Sequence, residues 1–348
     1  MSSVVAPGGT SVAVDDPRWL RFAEEHEDAT IFHHPRWAHL LADCYGYEPL
    51  LCTVRGDDGA VLAGMPLLHV KSRLTGERAV GLAFTDFCPP LTSGAASRSD
   101  LIAALNDLRR DRRWPKIEVR WELGTGDGLF AGETVLRHTT ALQPDADAVF
   151  ATFKKTRVRQ PVRQARDAGV VVRAFADWDG TRAFYDLHLR TRRRLGVPTQ
   201  PLRFFRLVWE RLIAEGHGFV LLAYDGTRVM AGGVFLRWNG VMTYKYGASE
   251  ADAWRLRPNH LLLWEAVQRG CAEGDRLLDW GRTDLGNEGL RKFKLGWAEE
   301  QQLSYSVFAA EAPSAGGRPG EAAFTKVIQR SPVWVSRAIG KVLYGHFG

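Results

Sequence analysis

With 348 residues, 45% of them hydrophobic and 25% charged, the chain has the composition of a globular protein long enough to bury two cores. Its formal net charge of +6 and isoelectric point near 9.2 favour anionic partners such as phosphates, nucleic acid or an acidic membrane surface. No uncharged run approaches the ~18–20 residues of a bilayer-spanning helix. Cys44, Cys52, Cys88 and Cys271 form no C-x-x-C pair, which argues against a zinc ribbon or dithiol centre.

Residues 1–14 read as a flexible leader, and Met1 to Asp16 lacks the basic and apolar regions of a secretory signal, so a cytoplasmic protein is expected. Pro17 to Glu25 is a short helix with Asp16 as its cap, and Pro35 to Tyr45 is a second helix. Pro49 to Arg55 and Ala60 to Val70 alternate as strands about the turn Gly56-Asp57-Asp58-Gly59. A strand from Ala79 to Phe84 leads into Thr85-Asp86-Phe87-Cys88-Pro89-Pro90, where the prolines end it. A helix over Ser99 to Arg110 and a strand over Lys116 to Trp121 complete the first half.

The pattern restarts near Asp145. Asp147 to Ala168 reads as one basic helix, followed by a strand from Val170 to Phe175 and helices over Thr181 to Leu195 and Phe204 to Glu215. Phe219 to Tyr224 and Val229 to Trp238 form a hairpin, and Val241 to Gly247 adds a strand. Asn259 to Glu273 is amphipathic through Leu262, Leu263, Ala266, Val267 and Gly270. Strands at Leu277 to Trp280 and Ser304 to Phe308 close the sheet, and a basic amphipathic segment occupies Ala322 to Leu343.

The stretch from Leu278 to Trp297 carries the most chemistry. A short apolar strand enters a turn rich in Gly, Asn and Asp, then a basic segment in which Lys292 and Lys294 flank Phe293. Amide donors, a carboxamide and fixed positive charge at a strand mouth suit a developing oxyanion or a phosphate. Lys154, Lys155, Arg157, Arg159, Arg163 and Arg166 precede the first acid, Asp167, and a second cluster holds Arg190 and Arg194. Such runs bind phosphate or an RNA backbone, or form a solvated basic surface. Cysteine and acidic partners at metal spacing are lacking near His33, His34 and His39, so no metal is assigned.

The chain resembles the FemABX-like, GNAT-related acyltransferases over about residues 30 to 308. The resemblance rests on the D-x-G-R strand end at Asp279 to Arg282 and the N-x-G-L-x-x-F-K-x-G-W run at Asn287 to Trp297. It extends to Phe32-His33-His34-Pro35-Arg36-Trp37, Tyr45-Gly46-Tyr47-Glu48-Pro49, Leu82-Ala83-Phe84-Thr85-Asp86-Phe87 and the basic segment Lys155 to Val170. Cys88 and Pro89 stand where many relatives have two glycines, and Pro161 departs from the helix pattern by kinking the helix or resetting its start.

The resemblance implies an α/β fold of the α+β type, with tandem GNAT-like domains at 15–144 and 145–310 and a loop and basic tail at 311–348. It also implies transfer of an acyl or aminoacyl group to an amine. Lys294, the patterned position, or Lys292 would stabilise the oxyanion, and Asp86 would orient the amine. Asp86 is equally a turn residue by type. Lys155, Arg157, Arg159, Arg163, Arg190 and Arg194 would hold phosphates. Tyr244, Lys245 and Tyr246 would border the acyl site, the tyrosines on one face by the period of two. Arg282 and Asn287 would contact substrate or hold the loop.

An acetyl-CoA enzyme of this fold carries a glycine-rich loop before the long helix, whereas Ala253 to His260 contains no glycine. Aminoacyl-tRNA is therefore the expected donor, with acyl-CoA the alternative and no tightly bound cofactor. The expected acceptor is a peptide, amino-sugar or lipid-linked amine, with peripheral membrane contact through the tail. A basic module binding nucleic acid or anionic lipid is the non-enzymatic alternative.

Overall fold

The computed structural model describes residues 10–72 and 76–312. The basic tail therefore lies outside the described residues, as does most of the leader. Among the described residues no helix is long and apolar enough to cross a membrane. The described residues fold as two compact units, 10–135 together with 302–312, and 136–301.

The first unit contains β1 (Thr10–Val12), α1 (Pro17–Glu25), α2 (Pro35–Tyr45), β2 (Glu48–Arg55), β3 (Val61–Ser72), β4 (Gly76–Val80), β5 (Leu91–Thr92), α3 (Ala95–Asp111), β6 (Lys116–Val119) and the start of β7 (Leu129–Ala141). Asp16 caps α1 through Arg18 N–H, and Pro17 and Pro35 start their helices where a missing N–H costs nothing. β2 and β3 pair antiparallel about the expected Gly-Asp-Asp-Gly turn, and β1 adds to β2. A Cβ at Gly64 would lie 2.9 Å from both Cys52 O and the Trp19 ring, so α1 rests directly on this hairpin.

The strand expected to reach Phe84 ends at Val80. Leu82 and Phe84 adopt left-handed backbone (φ 50° and 59°), which breaks the ladder. The loop that follows is tied down on several sides. Trp37 Nε1 donates to Thr85 Oγ1 at 2.9 Å, Arg120 Nη1 to Thr85 O at 2.6 Å, and His33 Nε2 to Pro89 O at 2.8 Å. Burial of the His33 ring pulls its pKa down to about 4.

The second unit contains the end of β7, α4 (Ala146–Thr152), α5 (Gln160–Asp167), β8 (Val171–Phe175), α6 (Trp178–Leu195), α7 (Leu202–Val208), β9 (Gly218–Asp225), β10 (Arg228–Trp238), β11 (Val241–Ser249), α8 (Pro258–Ala272), β12 (Leu277–Asp284), α9 (Glu288–Lys294) and the start of β13 (Glu299–Ala309). The strands neighbour one another in the order β7-β12-β11-β10-β9-β8. β8 to β11 pair antiparallel, and β11 pairs parallel with β12. On one face α5 and α8 bury Val162, Leu262, Phe235, Met242, Leu278 and Trp280. On the other, α6 sets Phe184 and Leu187 over Gly232.

The basic segment is not the single helix its composition suggests. Pro161 lacks an N–H, so the chain breaks after α4, makes a π-helical turn at Lys155–Arg159 and restarts as α5 with the proline in its first turn. β7 has no counterpart among the sequence expectations, because Gly132, Glu133 and Arg137 dilute its alternation of buried and half-exposed residues. All four cysteines are free thiols.

Gly64→Ala is expected to destabilise the first unit by about 1–3 kcal/mol, since Trp19 and the Cys52 carbonyl must shift. A thermal melt as stable as wild type would contradict the close approach. A second expectation concerns pH. His33 titrates at about 4 when folded against 6.5 unfolded, so the folded state binds fewer protons. Its contribution is intact above pH 6.5 and declines toward pH 4 by about 3 kcal/mol. The stability difference between wild type and His33→Gln should change by this amount across that window.

Candidate active site

β11 and β12 pair only where Val241, Met242 and Thr243 face Leu277, Leu278 and Asp279, although both strands run on for several residues. Within β12, Gly281 takes φ +71°, a conformation open to glycine without strain. The Asp279 carboxylate receives Gly281 N–H at 2.8 Å and pairs with Arg137 at 2.9 Å, which fixes the kink. The carbonyls beyond the kink turn toward α9. Lys294, only 4% exposed, donates from Nζ to Gly281 O at 2.9 Å and Arg282 O at 3.0 Å.

Asn287 caps α9, its Oδ1 accepting Leu290 N–H at 3.2 Å, and Arg282 pairs with Asp284. Both residues therefore hold the loop through contacts within the chain. Arg291 forms a two-pronged bond to Glu300 at 2.9 and 2.8 Å, and Glu300 accepts from the fully buried His138 at 3.1 Å. Burial and the nearby Lys294 charge both lower the His138 pKa, so a neutral imidazole supports the carboxylate. Sequence reading passed over His138, Arg137 and Glu300. Asp279 entered the sequence reading only as the first residue of the D-x-G-R strand end.

The basic turn docks onto the same segment. Lys154 N–H donates to Gly296 O at 3.1 Å, Val158 packs on Gly296, and Arg157 Nη1 reaches Lys292 O at 3.4 Å. His260, in the first turn of α8, packs on Phe293 at 5.3 Å, and its pKa falls to about 4 through burial and the Arg257 charge. Arg157 thus meets the Lys292 backbone, next to the Phe293 that packs on the first turn of α8. Lys154, Lys155, Arg157 and Arg163 are exposed, Arg159 is half-buried, and none has a carboxylate partner among the described residues.

The second arginine cluster is engaged elsewhere. Arg190 pairs with Glu250 at 2.6 Å, and Arg194 donates to Ser249 O at 3.1 Å while its guanidinium stacks 4.8 Å over Trp254. Both brace the connection from β11 to α8. That connection has no glycine, and Arg257 supplies its left-handed residue at φ +56°.

Tyr244 and Tyr246 do not share a face, which corrects the alternation expected from sequence. Phe235 pairs with Tyr244 and Val234 with Tyr246, so Lys245 is an extra residue, a β-bulge. Tyr244 stacks on Phe235 at 5.1 Å and meets Trp280, while Tyr246 turns to His188 and Phe205 on the α6 face. Burial pushes the Tyr244 hydroxyl well above the ordinary phenol range. Lys245 is buried, with Nζ 5.2 Å from the Tyr246 ring.

Asp86 belongs to the first unit and sits six residues beyond the end of β4. Its backbone carbonyl accepts the Tyr305 hydroxyl at 2.8 Å. No cluster of His, Cys, Asp and Glu among the described residues is arranged to hold a metal ion.

Residues 153–295 match a family described as an acetyltransferase (GNAT) domain. A comparison of the sequence with curated proteins gives no significant match. Among solved structures, FemX is similar with a TM-score of 0.69 and 16% identity, covering 86% of this chain and 97% of that one. L-PGS from Bacillus licheniformis is similar at TM-score 0.54 and 12% identity, covering 94% and 98%. A tandem GNAT protein from the clavulanic acid biosynthesis pathway gives 0.51 and 13%, covering 88% and 99%. At these identities the likeness is one of fold.

Lys294→Met should cost about 2–4 kcal/mol by leaving two carbonyls without a donor, and should speed amide exchange in the 282–287 loop. Lys292→Met, at an exposed site, should stay within about 0.5 kcal/mol of wild type. Equal stability of the two variants in urea would show that Lys294 does not clip the loop.

Proposed function

We propose that this chain, a GNAT-related acyltransferase with its acetyltransferase-type domain in the second half, transfers an aminoacyl group from aminoacyl-tRNA to an amine. The acceptor would be a peptide, an amino sugar or a lipid-linked cell-envelope precursor, reached in the cytoplasm or at the inner membrane face. The observation that carries this reading is the way anion-binding groups are distributed. The β11–α8 connection has no glycine with which to wrap a pyrophosphate in backbone amides, while Lys154, Lys155, Arg157 and Arg163 are exposed and have no carboxylate partner among the described residues. Backbone cradles suit a compact pyrophosphate, and spread cationic side chains suit an extended phosphate backbone.

Chemically the transfer needs no covalent enzyme intermediate. The acceptor nitrogen attacks the ester carbonyl, the tetrahedral oxyanion collapses, the C–O bond to the ribose breaks, and the proton lost by the amine passes to the departing hydroxyl. The enzyme's share is positioning and positive potential at the oxyanion. Lys294 supplies that potential as a fixed, buried charge beside the β12 kink, and Lys292 lies on the solvent side. The likeness to FemX and to L-PGS agrees with the fold that this reading requires.

Titrating purified protein with aminoacyl-tRNA, uncharged tRNA and acetyl-CoA tests the donor. Charged tRNA should bind with an affinity that falls steeply with salt, and replacing Lys155, Arg157 and Arg163 by Gln should reduce the magnitude of the log–log slope by about 3. Saturable acetyl-CoA binding with no response to tRNA would instead make the chain an acyl-CoA-dependent N-acetyltransferase, as the matched family's description suggests.

A further inference from the structure

On the α6 face of β11, away from the signature segment, the second unit encloses polar groups that the reading above does not use. His188 is 3% exposed, and neither ring nitrogen completes a hydrogen bond within the protein. The Gln200 side chain and the Gly247 backbone approach the ring closely enough to favour its charged form, yet neither reaches bonding geometry. Gln200 is 6% exposed and donates from Nε2 to Tyr246 OH across a long 3.5 Å, while its Oε1 accepts nothing. Thr199, the preceding residue, is fully buried with its hydroxyl also unmatched.

These groups are held by rigid surroundings. The imidazole is stacked on Phe184 at 5.5 Å and edged by Phe205 at 5.3 Å and Tyr246 at 5.7 Å. Thr191 exchanges two hydrogen bonds with Ser249, at 3.1 and 3.0 Å, which locks α6 to the end of β11. Leaving buried donors and acceptors unmatched costs about 1–3 kcal/mol each, so an arrangement this firmly built points to an external partner. The Lys245 bulge is what turns Tyr246 into the group.

We infer that His188 and Gln200, beside Tyr246, form a buried subsite for a neutral substrate group that both donates and accepts a hydrogen bond, a carboxamide or a hydroxyl. A neutral imidazole offers one donor and one acceptor, and the Gln200 Oε1 requires a donor. Burial and the nearby Arg192 charge hold the imidazole neutral, with its pKa near 3. An ammonium would meet Arg192 and Lys245 with like charge. A carboxylate would leave the Gln200 Oε1 and the acceptor nitrogen facing oxygen. The subsite takes its use from the acyltransferase reading, but its existence does not depend on which donor the enzyme employs.

Long-range 1H–15N spectra of the full chain test the subsite, with the His188 ring assigned through His188→Phe and acetamide as the probe. Acetamide should shift the His188 ring resonances saturably in the millimolar range, while acetate and methylammonium at equal ionic strength leave them in place. Gln200→Leu, checked for an unchanged thermal melt, should weaken acetamide at least tenfold. Failure of acetamide to saturate, an equal response to all three probes, or a crystal structure in which acetamide does not displace ordered water from these atoms would overturn the inference. Turnover is not the readout, so an enzyme inactive with charged tRNA leaves this result interpretable.

Discussion

The second unit depends on one buried ammonium. Where β12 parts from β11, the Gly281 and Arg282 carbonyls lose the neighbour that would complete the ladder, and Lys294 Nζ replaces it from α9. Burying a charge costs several kcal/mol unless it is fully met by hydrogen bonds, so the arrangement is all or nothing. Once Lys294 is seated, α9 is fixed in rotation, Phe293 turns to His260, and Gly296 O is placed to receive the basic turn through Lys154 N–H. The Arg291–Glu300–His138 chain holds α9 from its other side. Positive charge, kinked strand and first turn of α8 come into register through that one contact.

The two arginine clusters look alike in sequence and differ in the fold. Arg190 and Arg194 follow a well-formed helix and find Glu250, the Ser249 carbonyl and the Trp254 ring, so their charge is consumed in bracing a connection. Lys154 to Arg159 lie in the break and π-helical turn that precede α5, Arg163 lies in α5 itself, and none of the exposed residues among them has a carboxylate partner among the described residues. A proline that looked like a flaw in a helix pattern is the reason this charge stays available.

Much of the architecture was legible where one physical signal dominates. The Gly-Asp-Asp-Gly hairpin, the amphipathic α8 and the proline-started helices follow from turn chemistry and periodicity. β7 was not legible, because its exposed positions carry Ala131, Glu133 and Ala141 and its middle carries Gly132 rather than β-formers. The strand before Asp86 stops early at backbone strain that no side-chain pattern announces. Within the site, the F-K-x-G-W segment carries Lys294, which is buried where Lys292 is exposed. Its two carbonyl partners are set by a strand kink thirteen residues upstream, which composition cannot display.

The extra residue at Lys245 separates what one strand can be asked to do. Residues before it answer to the core under α8, through Tyr244, Phe235 and Trp280, and residues after it answer to the aromatic enclosure around His188. Run without the bulge, the same residues would alternate strictly, Tyr246 would share the face of Tyr244, and the facing of the whole segment from Tyr246 to Ser249 would be exchanged. With the bulge in place, side chains on the two faces can be varied independently, so that a lineage of such chains could diverge in what it recognises on one side while the framework on the other stays constant.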